Sequence, residues 1–428
     1  MLISLIALAP ALLVAPRDFY DYLAKKDGAY RSEVTRSATE TRIELTSQVW
    51  QGIPWKHTIL LRQPKTLPKK GVAILYITGD GPRPGDLVEV PMIVGATGFP
   101  VAALFNVPNQ PIWDLKEDDL IAHTFEKYLE TNDPSWPLLF PMAKSAIKAM
   151  DAVQAATRYS ENPITKFVVA GASKRGWTTW FVGASKDPRI LGIAPLVIDN
   201  LNIPKQMPHQ LANWGKYSEQ IEEYTRRGLQ AKLETKKGQE LTRMIDPYYY
   251  LDAIKVPVMI VNGANDPYWS VDSLSLYWND LPMPHWASII PNAGHDMGTK
   301  VQAIEVVGAF AHSLAGEFEM PKLDWKLTEL RAPNETHRTL LLQAVSKKHP
   351  IWQMRALTAV ADNLDFRPVK WETAAEVKID PVPTSVGSSP AIKFLIPRGK
   401  NVAVLAEARF KIGSRVFTLS RPVTVFKK

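Results

Sequence analysis

Apolar and polar residues along this chain fall into two rhythms that change abruptly near residue 320. Thr41 to Gln63 alternates apolar and polar positions across Gln51-Gly52, which predicts an antiparallel hairpin. Unbroken apolar runs follow at Gly71–Ile77, 100–106, Thr165–Ala170, Ile190–Ile198, Val256–Val261 and Ala287–Ile290, and these read as buried strands. Between them, Pro137 to Tyr159 carries Met142, Ala146, Met150 and Val153 at helical spacing, and Lys174 to Val182 predicts a second helix. The interval between Asp199 and Pro257 is charge-rich and mostly helical in pattern, with Ser218 to Met244 polar almost all round, and predicts a cap insertion over about 200–255. After Pro321, short alternating runs at Asp324–Leu327, Leu340–Val345, Ile351–Val360 and Val402–Phe410 are separated by Pro, Asn, Gly and Ser turns. That pattern predicts a β-rich, sandwich-like region over 321–428, with structural support its expected role.

The densest chemical signal lies where the Thr165 run stops, at Gly171-Ala172-Ser173-Lys174-Arg175-Gly176. A serine between glycines on a strand-to-helix turn is how an α/β-hydrolase presents its nucleophile. The usual Gly-x-Ser-x-Gly spacing is altered here, because the second glycine is displaced by one position. Serine is also a favoured helix N-cap, so Ser173 has a purely structural alternative. A serine hydroxyl is a weak nucleophile and needs a base, itself oriented by a carboxylate. The candidate base is His295, in Gly294-His295-Asp296 directly after the run ending at Ile290. The candidate acid is Asp266, in a Gly263-x-x-Asp266 turn after the run ending at Val261, with Asp199 as an alternative acid one strand earlier. The chain order Ser173, Asp266, His295 is the order this fold requires. Asp296 reads as a turn residue.

Acyl transfer also needs oxyanion donors. Lys174 supplies one through its backbone N–H, and the loop Gly79-Asp80-Gly81, after the Gly71–Ile77 strand, is the second candidate. Trp177, Tyr268 and Trp269, with Arg175, are candidate substrate-binding residues, although core packing is the favoured reading for Trp177 and Trp180. His123 and His209 have no evident partner in the sequence.

At 428 residues with 46% apolar and 22% charged residues, the chain suits a decorated globular fold with a sizeable core. Its net charge of +8 is scattered, with small clusters at Arg62–Lys70 and Lys232–Lys237 and no aromatic-interleaved basic stripe, which argues against nucleic-acid binding and is compatible with acidic sugars or an anionic surface. Zero cysteines exclude disulfides and thiolate metal sites, and no His or carboxylate spacing suggests a metal. Leu2 to Val14 fits the apolar part of a secretory leader over residues 1–16 and is too short to span a bilayer. No later segment is apolar enough for a membrane helix, so a periplasmic or secreted location is expected.

The segments Gly171-Ala172-Ser173-Lys174-Arg175-Gly176-Trp177, Ile77-Thr78-Gly79, Val107-Pro108-Asn109-Gln110-Pro111, Gly263-Ala264-Asn265-Asp266-Pro267-Tyr268-Trp269 and Gly294-His295 resemble those of the PhoPQ-activated pathogenicity-related family. The likeness runs over nearly the whole chain and implies a secreted or periplasmic α/β-hydrolase whose substrate is poorly defined. The turn is also similar to that of glucuronoyl esterases, in which an arginine directly follows the serine. Here that position is Lys174, and the arginine is Arg175.

The expected architecture is therefore an α/β-hydrolase fold over 17–320 with a cap insertion, followed by the β-rich region. The expected activity is that of a cofactor-independent serine hydrolase, an esterase acting on a carbohydrate or other small ester. A non-catalytic envelope or virulence-associated binding protein on the same scaffold is the alternative.

Overall fold

A computed structural model describes residues 14–66, 71–330, 336–379 and 388–428, so the expected leader over 1–16 lies almost wholly outside the described residues. The alternating N-terminal segment forms an antiparallel meander of β1 (Arg31–Arg36), β2 (Thr41–Trp50) and β3 (Ile53–Arg62). Gln51 and Gly52 close the β2–β3 hairpin with φ of 48° and 76°, the left-handed pair that a two-residue hairpin loop favours. The apolar runs become β4 (Val72–Ile77), β5 (Val101–Leu104), β6 (Lys166–Ala172), β7 (Ile190–Leu196), β8 (Val258–Gly263) and β9 (His285–Ile290). Their order, β1-β2-β3-β5-β4-β6-β7-β8-β9, is antiparallel up to β5 and parallel from there to β9. Every residue of β5 and β8 is buried, as befits strands covered on both faces.

Adjacent residues point to opposite faces of a sheet, and each face has its own core. Leu75 and Val169 join α1 (Arg17–Ala24), α4 (Leu139–Thr157) and α5 (Lys174–Ala184) around Phe19, Phe140, Phe181 and Tyr250. Their neighbours Ile74 and Val168 join α2 (Asp86–Thr97) and α10 (Val301–Leu314) around Phe99 and Phe310. Helix α3 (Glu117–Thr131) leads from β5 toward α4. Between β7 and β8 the chain makes α6 (Ile203–Trp214), α7 (Glu222–Thr225), α8 (Leu229–Glu234) and α9 (Lys236–Ile245). Among the described residues, no helix is long and apolar enough to cross a membrane.

The C-terminal strands are β10 (Leu323–Leu330), β11 (His337–Ser346), β12 (Gln353–Ala361), β13 (Glu372–Lys378), β14 (Ala391–Pro397), β15 (Asn401–Ile412), β16 (Arg415–Ser420) and β17 (Thr424–Phe426). They form two layers. One is the separate sheet β10-β11-β14; the other, β16-β15-β12-β13, continues the central sheet beyond β9 through the pair Ser420 and Ala287. Ser420 Oγ also accepts the Ile289 N–H at 3.0 Å. Strand β9 would otherwise be an open edge, which sheets avoid by pairing or covering it. Leu340, Phe394, Val404 and Phe410 from the two layers share the α10 core.

Candidate active site

Strand β6 ends at Ala172 and α5 begins at Lys174, leaving Ser173 alone to turn the chain. Its backbone has φ 58° and ψ −128°, a region that costs a non-glycine residue about 1–3 kcal/mol and clusters at functional sites. Two glycines make the turn possible. A Cβ on Gly171 would lie 2.6 Å from Arg175 O, and one on Gly176 would lie 2.6 Å from Ile198 Cγ2. The displaced glycine therefore stands where α5 passes closest to the end of β7. The turn is pinned by Ser173 N–H donating to Leu196 O at 2.8 Å and Trp177 N–H donating to Ser173 O at 2.9 Å. The Ser173 hydroxyl makes no capping bond to α5, so the helix-cap alternative is not what the residue does here.

Asp266 and His295 arrive on two loops that are stitched together. Ala264 N–H donates to Ile290 O at 2.9 Å and Asn265 N–H to Ala293 O at 2.9 Å; Gly263 lets Gly294 O approach so closely that a Cβ would meet it at 2.3 Å. Asp266 Oδ1 accepts the Tyr268 N–H at 2.9 Å, and Oδ2 lies 2.8 Å from His295 Nδ1. The carboxylate is an acceptor only, so it fixes the proton on Nδ1 and leaves Nε2 as a bare lone pair. Nε2 is buried and has no hydrogen-bond partner among the described residues. The Tyr268 ring lies against the imidazole, with centroids 4.2 Å apart.

The same two loops are gripped from the connection between β12 and β13. Asn265 Nδ2 donates to the carbonyls of Phe366, Arg367 and Val369 at 3.3, 3.1 and 2.8 Å. Asn292 exchanges two bonds with the Trp371 backbone, at 3.0 and 2.8 Å. The cap holds the acid loop from the other side: Gln210 Nε2 donates to Tyr268 O at 2.9 Å and Ser218 Oγ to Pro267 O at 2.7 Å. His209, without an evident partner in the sequence, pairs with Asp272 at 2.7 Å.

Ser173, Lys174 and His295 line one cavity beneath the cap, together with Trp177, Tyr268 and Trp269. Ser173 and His295 are not hydrogen-bonded to each other; in a ligand-free site such bonds are often long and tighten on binding. Trp177 is also fixed, its indole N–H donating to Ile245 O at 2.7 Å, whereas Trp180 is wholly core.

Two sequence expectations are corrected by this geometry. Arg175 does not line the cavity. Its guanidinium grips both oxygens of Glu117 at 2.7 Å and donates to Val107 O at 2.6 Å, a planar fork matched to a carboxylate. The loop Gly79-Asp80-Gly81 is likewise absent from the lining. Gly79 packs on the Arg175 guanidinium, the Gly81 amide donates to Asn106 Oδ1 at 3.2 Å, and Asp80 accepts from Gln110 at 2.8 Å. Glu117 went unnoticed in the sequence; its only signal is the acidic run Glu117-Asp118-Asp119 opening a helix. Lys174 Nζ completes the cluster, 2.8 Å from Glu117 and 2.9 Å from Asp118. Burial alone would raise the Glu117 pKa, but the hydrogen bonds and charge of Arg175, with Lys174, hold it well below the usual carboxylate range. Asp118 also accepts the Tyr224 hydroxyl at 2.9 Å, and Asp119 and Glu126 bind Arg227 at 2.7 and 2.5 Å, so α3 ties the serine turn to the cap. Glu117→Ala leaves two cations at the start of α5 with less compensation. The expected loss is about 2–3 kcal/mol in denaturant unfolding, below the 3–5 for a fully buried pair because Glu117 is itself partly exposed. An unchanged midpoint would discount the cluster.

Asp199 is not the acid partner of His295. It accepts the Tyr277 hydroxyl at 2.5 Å. Burial, aided by the nearby negative charge of Asp266, pushes its pKa up to about 7 despite the Tyr277 bond. The unfolded group ionises near 3.8, so the native state holds the extra proton between these values and stability falls as pH rises through that window. Asp199→Asn keeps an oxygen for Tyr277 and removes the proton. The variant is expected to gain stability over the wild type at pH 8 and not at pH 4, with turnover little changed. A collapse in turnover would reinstate Asp199 as the acid.

Comparison with known proteins agrees with this architecture. The acetyl xylan esterase 1 of Thermoanaerobacterium sp. JW/SL YS485 superposes with a TM-score of 0.50 at 15% identity, covering 70% of this chain and 95% of that one. That likeness establishes the α/β-hydrolase fold. The acetyl xylan esterase of Paenibacillus sp. R4 gives a TM-score of 0.48 at 14% identity, covering 69% and 96%. Autocrine proliferation repressor protein A of Dictyostelium discoideum is 30% identical over a 396-residue alignment that covers 86% of this chain and 79% of that protein. The profile of the PhoPQ-activated pathogenicity-related proteins matches residues 19–367. The chain belongs to the PhoPQ-activated pathogenicity-related protein family.

Proposed function

We propose that this protein is a serine hydrolase that cleaves small esters by acyl transfer. The observation that carries the proposal is the Asp266–His295 pair, at 2.8 Å, in which His295 lines the cavity that Ser173 also lines and its Nε2 is without a partner among the described residues. In the proposed reaction, Ser173 Oγ attacks the carbonyl carbon, its proton passes to His295 Nε2, and Asp266 supports the imidazolium that forms. The tetrahedral oxyanion is met by the Lys174 N–H, which at the first turn of α5 has no acceptor within the helix. The leaving alcohol takes the proton from Nε2, and a water activated by the same nitrogen then releases the acid and restores Ser173.

An ester is favoured over a peptide because, among the described residues, none that lines the cavity lies in a strand on which a peptide backbone could pair. The fold neighbour is named for acetylated xylan. A sugar ring inside this cavity would need several polar partners, and the lining is predominantly apolar, so any carbohydrate part of the substrate belongs outside it.

The test is a fluorophosphonate probe on the purified chain, with the adduct located by peptide mapping. An adduct on Ser173 alone, together with hydrolysis of a short-chain aryl ester, is expected. Neither adduct nor turnover would assign the scaffold to binding.

A further inference from the structure

Beneath the cap, most polar groups at the cavity wall are already engaged. Tyr224 donates to Asp118 at 2.9 Å, Gln230 to Thr225 at 3.0 Å, and Lys174 sits between Glu117 and Asp118. Phe125, Ile198, Ile203, Met207, Leu233 and Ile245 supply much of the rest. Two groups stand out. Asn200 is 1% exposed, and among the described residues neither its Nδ2 nor its Oδ1 has a hydrogen-bond partner. The Trp269 indole N–H is also buried without a partner. Both residues line the cavity that Ser173 and His295 share.

An unpaired buried amide is costly, and native proteins rarely keep one without a use for it. Asn200 is not needed to hold the chain at this point, because its neighbours do so. Asp199 binds Tyr277, and Asn202 uses its own N–H on Asp246 at 3.2 Å and its amide on Leu276 O at 3.3 Å. Asn262 is a second buried asparagine without partners, but it is not part of the cavity wall. The residue that carries the unmatched amide thus lines the cavity that Ser173 and His295 share.

Resting on the serine-hydrolase reading above, we infer that Asn200 and Trp269 read one hydrogen-bonding substituent on an otherwise apolar group of the ester. The substrate class is an ester with a hydrophobic acyl or alcohol part that carries one hydroxyl or carbonyl. Asn200 can donate to that group or accept from it, and Trp269 can only donate. A site built this way rejects the plain analogue, because binding it leaves the buried amide unpaired.

The experiment compares matched esters on both sides of the scissile bond. The acyl pairs are 4-nitrophenyl butyrate with 4-nitrophenyl 3-hydroxybutyrate, and 4-nitrophenyl pentanoate with 4-nitrophenyl 4-oxopentanoate. The alcohol pair is 2-phenylethyl acetate with 2-(4-hydroxyphenyl)ethyl acetate, followed by acid release. The wild type is expected to favour the polar member of at least one pair by about 10- to 100-fold in kcat/KM, the range of one hydrogen bond to a buried group. Asn200→Ala should erase that preference by losing only on the polar ester, and Trp269→Phe should reduce it. Thermal stability of Asn200→Ala should equal or exceed that of the wild type, since the variant removes an unpaired buried group.

No preference in any pair, an equal loss on both members, or marked destabilisation by Asn200→Ala would each overturn the inference. Failure of the parent reading looks different: no ester is cleaved and the fluorophosphonate leaves Ser173 unlabelled. Labelling of Ser173 with cleavage of plain and polar esters alike would sink the role of Asn200 and leave the hydrolase standing.

Discussion

Ser173→Ala is expected to lower turnover of a short-chain aryl ester by roughly 10^4- to 10^6-fold while leaving KM nearly unchanged. The hydroxyl contributes little to holding the substrate, because the cavity wall does that, but without it no acyl-enzyme can form. Members of such a triad act as a unit, so their losses do not add. The double variant Ser173→Ala with His295→Ala should therefore be no slower than Ser173→Ala alone, within a few-fold. Steady-state kinetics on purified variants decides the matter. A Ser173→Ala protein retaining a tenth of wild-type turnover would remove this serine from the chemistry, and a strictly additive double variant would mean that Ser173 and His295 act separately. Folding is not at stake, since the side chain makes no capping bond and the turn is pinned through its backbone.

The second large effect is expected at Asp266, where asparagine is the informative replacement. Oδ1 accepts the Tyr268 N–H and Oδ2 accepts from His295 Nδ1. An asparagine would keep its oxygen on the Tyr268 amide and turn its NH2 group toward Nδ1. Nδ1 must then become the acceptor, which moves the ring proton to Nε2, the atom that has to take the proton from Ser173. The geometry survives and the tautomer is wrong, a fault worth about 10^4 in kcat for such triads. Since deprotonation of the ring restores nothing in this tautomer, neutral pH should not rescue the variant. Hydroxide can substitute for the missing base, so the rate of Asp266→Asn should climb at high pH where the wild type is level. A variant within tenfold of the wild type at neutral pH would show that another group orients His295.

Much of this site could be read along the chain, and the reason is locality. The strand, the strained serine and its helix are contiguous from Lys166 to Ala184, and Gly171 and Gly176 announce the two close approaches that the turn demands. Asp266 and His295 stand directly after apolar runs, so their emergence at one sheet edge follows from parallel strand order. The features that escaped are pairings between distant residues. Arg175 belongs to Glu117 and Asn265 to Phe366, Arg367 and Val369, and no periodicity encodes such partners. The sequence pattern does reveal a C-terminal strand-rich region, but a pattern of alternation cannot tell whether such strands close on themselves or add to an existing edge. Asn200 illustrates the opposite limit. Its significance lies in having no partner, which becomes visible only when every surrounding group has been accounted for.

The grip of residues 366–371 on the acid and base loops has a consequence for how the chain becomes active. Translation proceeds from the N-terminus, so the serine turn, the cap and both loops leave the ribosome before the segment that braces Asn265 and Asn292 exists. Until Trp371 has been made and β12 has joined the sheet, the two loops have their strand ends, their bonds to each other and the cap's hold on the acid loop, but not this brace. Assembly of the Asp266–His295 geometry is thus coupled to completion of the chain, and a product shortened before Trp371 would carry Ser173, Asp266 and His295 without their outer support.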